Sequence, residues 1–233
     1  MKTVVLLCIF FYCTDASSAI IWEVGPNRTY TRSSQVSGLV QNGDTVNIDA
    51  ETYIRDVTFW RKNNLLLRGV GGLVHLDAKK TAYGRKGIWV IGGDSVTVEN
   101  IEFSHSIDAA KEDENWAGIR LEGTNLTVKN CYFHDNDNGI LEGNNSTSDV
   151  VIIFSEFDHN GYGDGQSHNL YIGNAKSLTF MHNYSHHAVI GHELKTRVRQ
   201  NYILYNRIGN EQQGTSSREI DMPNGGLAVI IGN

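Results

Sequence analysis

Short apolar–polar alternations recur along the chain and predict a series of β-strands. Three of them, Ser95–Phe103, Asn125–Phe133 and Asp149–Phe157, superpose without gaps, so that aliphatic residues and a final phenylalanine occupy matching positions. The segments Leu178–Tyr184 and Ile203–Ile208 continue the series. Alternation with a period of two is typical of strands, and amphipathic helical spacing is absent throughout.

A second column of short strands follows the first. Its members are centred on Ile119, Ile140, Leu170, Leu194 and Ile220, separated by steps of 21, 30, 24 and 26 residues. Constant strands with variable spacing indicate that loops grow at the corners while the strands remain stacked. Strands repeating in one direction with a full turn between them pair in parallel with their equivalents, which predicts a parallel β-helix.

Particular runs of residues also resemble a known group. These runs are Arg85–Ile91, Thr97–Phe103, Asn130–Asn136, Asp164–Tyr171 and Gly191–Arg197. They are similar to the right-handed parallel β-helix proteins of the pectate-lyase-like superfamily, over nearly all of the mature chain. The resemblance implies an all-β, right-handed, single-stranded solenoid. Because that superfamily includes polysaccharide lyases, glycoside hydrolases, epimerases and non-enzymatic proteins, it does not fix the activity.

The two ends of the chain carry their own predictions. Met1–Ala19 has a basic start, an apolar run at Val4–Tyr12 and small residues before Ile20, as in a secretory signal peptide. We therefore expect a secreted β-helix domain over 20–233, with the apolar run too short to span a membrane. The final residues, Leu227–Asn233, read as the start of another coil. Since solenoids need terminal caps, we expect a domain incomplete at its C-terminus, or a capping partner or self-association there.

Composition adds constraints on compartment and partner. With the signal removed, Cys131 is the single remaining cysteine, so no intrachain disulfide is expected and a buried thiol is predicted. Sequons at Asn27, Asn125, Asn144, Asn145 and Asn183 fit a secreted glycoprotein. The net charge of −6, without basic runs, argues against nucleic acid as the partner.

The opening part of the mature chain is less regular in sequence. Trp22–Asp77 reads as an opening segment with strands at Thr45–Ile48 and Asn63–Gly72, and Leu76–Gly87 reads as a polar loop.

Stacking converts columns of the sequence into surface patches. If the second column points inward, the residues next to it in sequence should share an outer face. His168 and His192 should lie at the edge of this face, side by side because they are 24 positions, or one coil, apart. The residues expected on this face are Asn169, Tyr171, Glu193, Lys195, Arg197, Glu219 and Asp221. The alternative is a solvated face whose charges pair along the ladder.

These residue types suit β-elimination from a uronate-containing polysaccharide. Lys195, beside Arg197 and Arg199, is the candidate base, and Arg197 could neutralise the uronate carboxylate. Tyr171 or His192 could serve as acid, and His168 is a further candidate catalytic residue. Asn169, Arg199 and Arg218 are candidates for substrate binding. Glu193, Glu219 and Asp221 are candidate ligands for Ca²⁺, which some lyases of this superfamily use.

Two other functions remain open at this point. A glycoside hydrolase would use two carboxylates drawn from Asp164, Glu193, Glu219 and Asp221. A non-catalytic glycan-binding or structural β-helix needs neither the residues for elimination nor a pair of catalytic carboxylates. In each case we expect a polysaccharide, in particular an acidic one, as the partner, and no membrane.

Another polar column follows the first set of strands. It contains Ser104–His105, His134–Asp135, Asp158–His159 and His186–His187. Such corner residues often bond to turn backbone, which favours a structural ladder. Histidine and aspartate are also metal ligands, although no compact zinc motif is present.

Overall fold

The computed structural model describes residues 18–110 and 116–233, and these form a stack of β-strands. In chain order the strands are β1 (Ile21–Val24), β2 (Thr45–Asp49), β3 (Thr52–Ile54), β4 (Thr58–Trp60), β5 (Leu66–Val70), β6 (Val74–Asp77), β7 (Gly87–Ile91), β8 (Thr97–Glu99), β9 (Ile101–Ser104), β10 (Ala117–Leu121), β11 (Thr127–Lys129), β12 (Tyr132–His134), β13 (Asn138–Glu142), β14 (Asp149–Ile153), β15 (Glu156–Asp158), β16 (Leu170–Ile172), β17 (Ser177–Met181), β18 (Tyr184–His186), β19 (His192–Thr196), β20 (Gln200–Leu204), β21 (Arg207–Gly209), β22 (Arg218–Asp221) and β23 (Leu227–Ile231). One short helix, α1 (Ser33–Val36), lies between β1 and β2.

The strands belong to three parallel sheets, one on each side of the stack. Sheet A has the order β1-β2-β5-β8-β11-β14-β17-β20-β23. Sheet B has the order β21-β18-β15-β12-β9-β6-β3, and sheet C has the order β22-β19-β16-β13-β10-β7-β4. From β2 to β22 each coil contributes one strand to A, one to B and one to C, whereas β1 and β23 add strands to A alone. The predicted right-handed parallel β-helix is therefore confirmed.

Apolar ladders fill the interior of the coil. Phe133 stacks on Phe103 and on Phe157, with ring centroids 4.9 Å apart and planes 5° apart in both pairs. The residues at the matching apolar positions of the strands are all buried: Val98, Ile101, Phe103, Val128, Cys131, Phe133, Ile152, Phe157, Leu170, Ile172 and Leu194. The gapless superposition deduced from sequence is the pairing register itself, since Phe133 pairs with both Phe103 and Phe157.

The chain turns its corners through residues in the left-handed region. Between sheets A and B these are Asn100, Asn130, Phe154, His182 and Tyr205, with φ of 51–59°. Asparagine tolerates this conformation better than most residues, which explains part of the pattern. Inside the next corner, Asn160 Nδ2 donates to the Phe133 carbonyl and to Asn169 Oδ1, so that buried backbone oxygens are satisfied.

The opening part of the chain differs from expectation. Trp22–Asp77 is already solenoid, because β2 pairs with β5 and β3 pairs with β6 in the same sheets as the later coils. The predicted loop Leu76–Gly87 begins later, after Asp77, and ends where β7 begins at Gly87. The repeat is less visible in this part of the sequence because outward positions that pair across coils differ in polarity, as in Thr45 with Leu66 and Asp49 with Val70.

The structure describes the C-terminal end of the chain but not the first residues. The strand β23 pairs in parallel with β20, in the position of a further coil, and Leu227, Ile230 and Ile231 are about half exposed. Residues 1–17 lie outside the described residues, so the signal peptide stays a prediction. At the other end, a capping partner and an incomplete domain also stay predictions. Within 18–110 and 116–233, no helix is long and apolar enough to cross a membrane. Asn183, in one of the predicted sequons, is buried and its amide donates to the Ile152 carbonyl.

Candidate functional site on sheet C

One column of side chains runs along the outside of sheet C. Parallel pairing aligns Arg120 with Leu141, Leu141 with Tyr171, Tyr171 with Lys195, and Lys195 with Asp221. All except Leu141 are partly exposed. Because equivalent positions on adjacent coils lie about 4.8 Å apart, these groups form a continuous outer patch.

Tyr171, Lys195 and Arg197 line a groove of about 390 Å³ on this face. Arg197 Nε donates to Tyr171 Oη at 2.9 Å, and Arg197 Nη1 donates to Asn224 Oδ1 at 2.6 Å. Lys195 Nζ lies 5.1 Å from the Tyr171 ring centroid. The predicted meeting of these three side chains is therefore present in the structure.

The amine of Lys195 lies in an environment that weakens its hold on a proton. Partial burial lowers its pKa from 10.5, and Arg197 and Arg218 lower it further, while Asp221 acts in the opposite direction. Burial removes water that would stabilise the ammonium, and neighbouring cations repel it. A larger fraction of Lys195 is consequently neutral near physiological pH than in a free lysine.

The two predicted histidines lie at the edge of the groove, but both are buried. His168 is fully covered, and its Nδ1 accepts the His192 backbone N–H at 3.1 Å. Among the described residues, its Nε2 has no hydrogen-bond partner. Burial, followed by the charges of Lys195 and His192, lowers the pKa of His168 to about 3. His168 is therefore neutral at physiological pH.

His192 contacts Asp221, which pairs with the groove residue Lys195. Its Nε2 lies 3.3 Å from Asp221 Oδ2, and its Nδ1 lies 2.9 Å from Ser217 Oγ. Burial lowers the pKa of His192, although Asp221 opposes this. Arg218, predicted for substrate binding, is mostly exposed, and its Nη1 lies 3.6 Å from Asp221 Oδ1.

The expectation that Asn169 and Glu193 lie on the outer face is wrong. Both are fully buried, and Asn169 Nδ2 donates to Glu193 Oε2 at 2.6 Å. Glu193 also accepts bonds from Ser185 Oγ and the Ala188 N–H. The pairing register skips this position, which turns inward at the corner where sheet B meets sheet C, so simple alternation fails there. Neither residue is placed to contact a polymer outside.

The three predicted Ca²⁺ ligands do not come together. Glu219 follows the register of Glu193, between Arg218 and Ile220, and not that of Asp221. It is exposed because it lies near the end of the stack. With Glu193 inside and Asp221 outside, these carboxylates do not fit a Ca²⁺ site. Arg199 is exposed beyond the corner after Thr196, where its backbone bonds to Ala175 and Leu227.

Four groove residues were missed by sequence reasoning. Asn138 and Leu141 come from β13, while Gly165 and Gln166 come from the loop between β15 and β16. The signal for the loop was the long step of 30 residues between Ile140 and Leu170. Step length reveals that a loop exists, but only the fold shows that it covers sheet C.

The polar column at the end of sheet B stacks as predicted. Ser104, His134, Asp158 and His186 occupy one register across four coils. At one end His134 Nδ1 lies 2.7 Å from Asp135 Oδ2, and His134 Nε2 lies 3.0 Å from Glu102 Oε1. These contacts agree with a hydrogen-bonded ladder in that part of the column.

Comparison with known proteins identifies the family. The family described as "Right handed beta helix region" matches residues 37–220. The chain belongs to this family. No curated protein matches it by sequence.

Solved structures of low sequence identity share the fold. A mutant pectin methylesterase in complex with a hexasaccharide is 11% identical, with a TM-score of 0.52, over 84% of this chain and 67% of that one. A pectin methylesterase from Erwinia chrysanthemi is 12% identical, with a TM-score of 0.51, over 87% of this chain and 69% of that one. A pectate lyase is 15% identical, with a TM-score of 0.47, over 91% of this chain and 79% of that one. At these identities the likeness to the two methylesterases concerns the fold.

Proposed function

We propose that this protein is a secreted polysaccharide lyase that cleaves a uronate-containing glycan by β-elimination. The observation that carries the proposal is the groove on sheet C, where the Lys195 amine and the Arg197 guanidinium lie beside the Tyr171 hydroxyl. Elimination needs a base for the C5 proton, a cation beside the carboxylate and an acid for the leaving oxygen. These three side chains supply one group for each task.

Lys195 is the proposed base. Its lowered pKa increases the fraction of neutral amine, the form that can accept the C5 proton. Among the described residues it forms no ion pair that would hold it as an ammonium. The electrons of the C5–H bond form the C4–C5 double bond as the C4–O bond breaks.

Arg197 and Tyr171 complete the step. Arg197 neutralises the uronate carboxylate, since a guanidinium pairs well with carboxylate and stabilises the charge developing at C5. Because Tyr171 Oη accepts a hydrogen bond from Arg197 Nε, its own proton remains available to the leaving oxygen. The cycle ends with a Lys195 ammonium and a Tyr171 phenolate, and solvent exchange returns the proton.

The shape of the surface suits an extended polymer. Sheet C presents one outward side chain per coil, from Arg120 to Asp221, along the axis of the stack. The hexasaccharide complex of a pectin methylesterase with the same fold supports a sugar polymer as the ligand. An acidic glycan is favoured because Lys195 and Arg197 line the groove.

The carboxylates give a hydrolase less support. Glu193 is buried inside, and Asp164 Oδ1 accepts bonds from the Gln166 and Ser167 backbone N–H groups of its own loop. Asp221 lies against His192. A hydrolase needs two carboxylates flanking the bond that breaks, and these three are not arranged around the groove.

The test is a panel of acidic and neutral polysaccharides incubated with the mature chain. We expect the ultraviolet absorbance of an unsaturated uronate to rise with acidic glycans. Lys195→Ala should abolish it, whereas Lys176→Ala, which removes an exposed lysine paired with Asp149 on sheet A, should not. Reducing ends without absorbance would indicate hydrolysis, and full activity in Lys195→Ala would refute the assigned base.

A further inference from the structure

A group of histidines lies at the end of sheet B, away from the sheet C groove. Strands β15 and β18 end at Asp158 and His186, which pair in register on adjacent coils. The residues that follow, His159 and His187, have φ of 50° and 52°. Because a left-handed residue interrupts the alternation of a strand, two consecutive side chains on each coil can turn toward the same place.

Three ligand-type atoms converge there. His186 Nδ1 and His187 Nδ1 lie 2.6 Å apart, and each lies 3.1 Å from Asp158 Oδ1. His159 Nδ1 lies 2.5 Å from the same carboxylate oxygen, and its ring stacks on His187. The three converging side chains remain accessible in part: Asp158 is 18% exposed, His187 23% and His186 8%.

Hydrogen bonding among neutral histidines satisfies this arrangement only in part. His187 Nδ1–H can donate to His186 Nδ1 or to Asp158 Oδ1, but no proton is left for the contact between those two atoms. His186 Nε2 lies 3.0 Å from Glu156 Oε1, and a carboxylate oxygen can only accept, so this nitrogen carries the proton of a neutral ring. His186 Nδ1 then presents a lone pair toward the lone pairs of Asp158 Oδ1. A cation between Asp158, His186 and His187 would turn this repulsion into attraction.

The other histidine group within the described residues provides a comparison. His75, Glu102 and His134 also lie close together. There, however, His134 contacts a different oxygen with each nitrogen, and His75 Nε2 lies 2.7 Å from Ser104 Oγ. In that group the nitrogens contact oxygens and not one another, which a hydrogen-bond network can satisfy.

We propose that Asp158, His186 and His187 form a binding site for a divalent transition-metal ion. Imidazole nitrogen with carboxylate oxygen is a donor set that suits Zn²⁺, Cu²⁺ and Ni²⁺. Bonds of about 2.0 Å to a tetrahedral ion separate the ligand atoms by about 3.3 Å, so the observed spacing needs only a slight opening. His159, whose Nδ1 contacts Asp158 Oδ1, is the candidate for a fourth protein ligand.

Neighbouring side chains position the ligands. Glu156 accepts the Nε2 proton of His186, which orients its Nδ1 toward the site. The Tyr184 ring stacks on His186 with centroids 3.8 Å apart, and so fixes the plane of the imidazole. Glu156 and Tyr184 are therefore positioning residues, and Glu156→Gln should weaken metal binding about 10–100-fold.

The test uses the tag-free mature chain, stripped of metal and titrated separately with Zn²⁺, Cu²⁺, Ni²⁺ and Co²⁺. We expect one ion per chain by calorimetry and elemental analysis, with visible Co²⁺ absorption bands. Asp158→Asn and His187→Asn should abolish binding. Asparagine is chosen at 187 because it tolerates the left-handed conformation. Equal circular dichroism and equal melting temperature without metal would show that these variants fold.

The matched control is His182→Asn. His182 is also a left-handed corner histidine, with φ of 56°, but it stacks between Phe154 and Tyr205. It should bind metal as the unaltered chain does, and Zn²⁺ should raise the melting temperature of both but not that of His187→Asn. Absence of stoichiometric binding, or binding that survives in His187→Asn, would overturn the proposal. So would binding lost in His134→Gln but kept in Asp158→Asn. None of these results depends on lyase activity.

Discussion

The imidazole rings of His168 and His192 stack with centroids 4.7 Å apart and planes 12° apart, although the residues belong to different coils. The backbone N–H of His192 donates to His168 Nδ1, so the proton of the neutral His168 ring lies on Nε2. A second proton would bring charge into a fully buried position beside Lys195. The pair therefore ties folding stability to pH.

We predict that the free energy of unfolding falls as pH decreases from about 6.5. The unfolded His168 binds a proton there, whereas the folded ring does so only near pH 3. Within this window the unfolded state holds more protons, so stability drops by about 1.4 kcal/mol per pH unit for this group. His192, whose pKa is also lowered, contributes in the same direction.

His168→Gln should reduce this dependence. Urea unfolding at pH 7 and at pH 5 would measure it, because glutamine can still accept the His192 N–H but does not titrate. We expect the difference between the two pH values to shrink in the variant. The same difference in both proteins would contradict the assignment.

Phe133→Ala should destabilise the fold by about 3–5 kcal/mol, because it opens a cavity in the middle of the phenylalanine ladder. Phe133 is fully buried between Phe103 and Phe157. Phe154→Ala is the control, since Phe154 is 52% exposed, and it should cost about 1 kcal/mol or less. Thermal or urea unfolding of both variants gives the comparison, and equal losses would count against a stacked core.

Glu193→Gln should cost about 1–3 kcal/mol, because the new amide nitrogen would face groups that already donate. These donors are Asn169 Nδ2, Ser185 Oγ and the Ala188 N–H. Glu219→Gln makes the same change at the equivalent position one coil later, where the side chain is exposed, and should stay within about 0.5 kcal/mol. Chemical unfolding measures both. A stable Glu193→Gln protein would show that the acceptor is dispensable.

The pH profile of the lyase reaction should follow the proton on Lys195. If the neutral amine is the base, kcat/KM rises with pH as Lys195 deprotonates. Asp221 raises the pKa of Lys195 and Arg218 lowers it. Asp221→Asn should therefore move the rising limb to lower pH, and Arg218→Gln should move it to higher pH.

Rates of unsaturated-uronate formation across the pH range would test this pair. Opposite shifts are the expected signature, because the two substitutions change the charge near Lys195 in opposite directions. If the rising limb of the pH profile were unshifted in both variants, Lys195 would not be the base, even if the protein were an active lyase.

The repeated strands are sufficient to predict the solenoid. The gapless repeat ending in Phe103, Phe133 and Phe157 left one consistent way to stack the coils, because inward positions must coincide to form a core. The same register predicts that Tyr171 lies beside Lys195 and His168 beside His192, as they do in the fold. Counting residues from coil to coil predicts neighbouring side chains wherever the strands alternate regularly.

Where strand alternation fails, the position of a side chain depends on contacts between coils that the sequence pattern does not reveal. Glu193 is a residue type usually found at the surface and was expected to point outward, yet the corner turns it inside. Its burial depends on three donors from two other segments of the chain, one at Asn169 and one at Ser185 and Ala188. Left-handed backbone at His159 and His187 likewise brings consecutive side chains together, which a period of two excludes. Backbone conformation at a corner depends on packing between coils, and for that reason the groove loop and the histidine cluster became visible only in three dimensions.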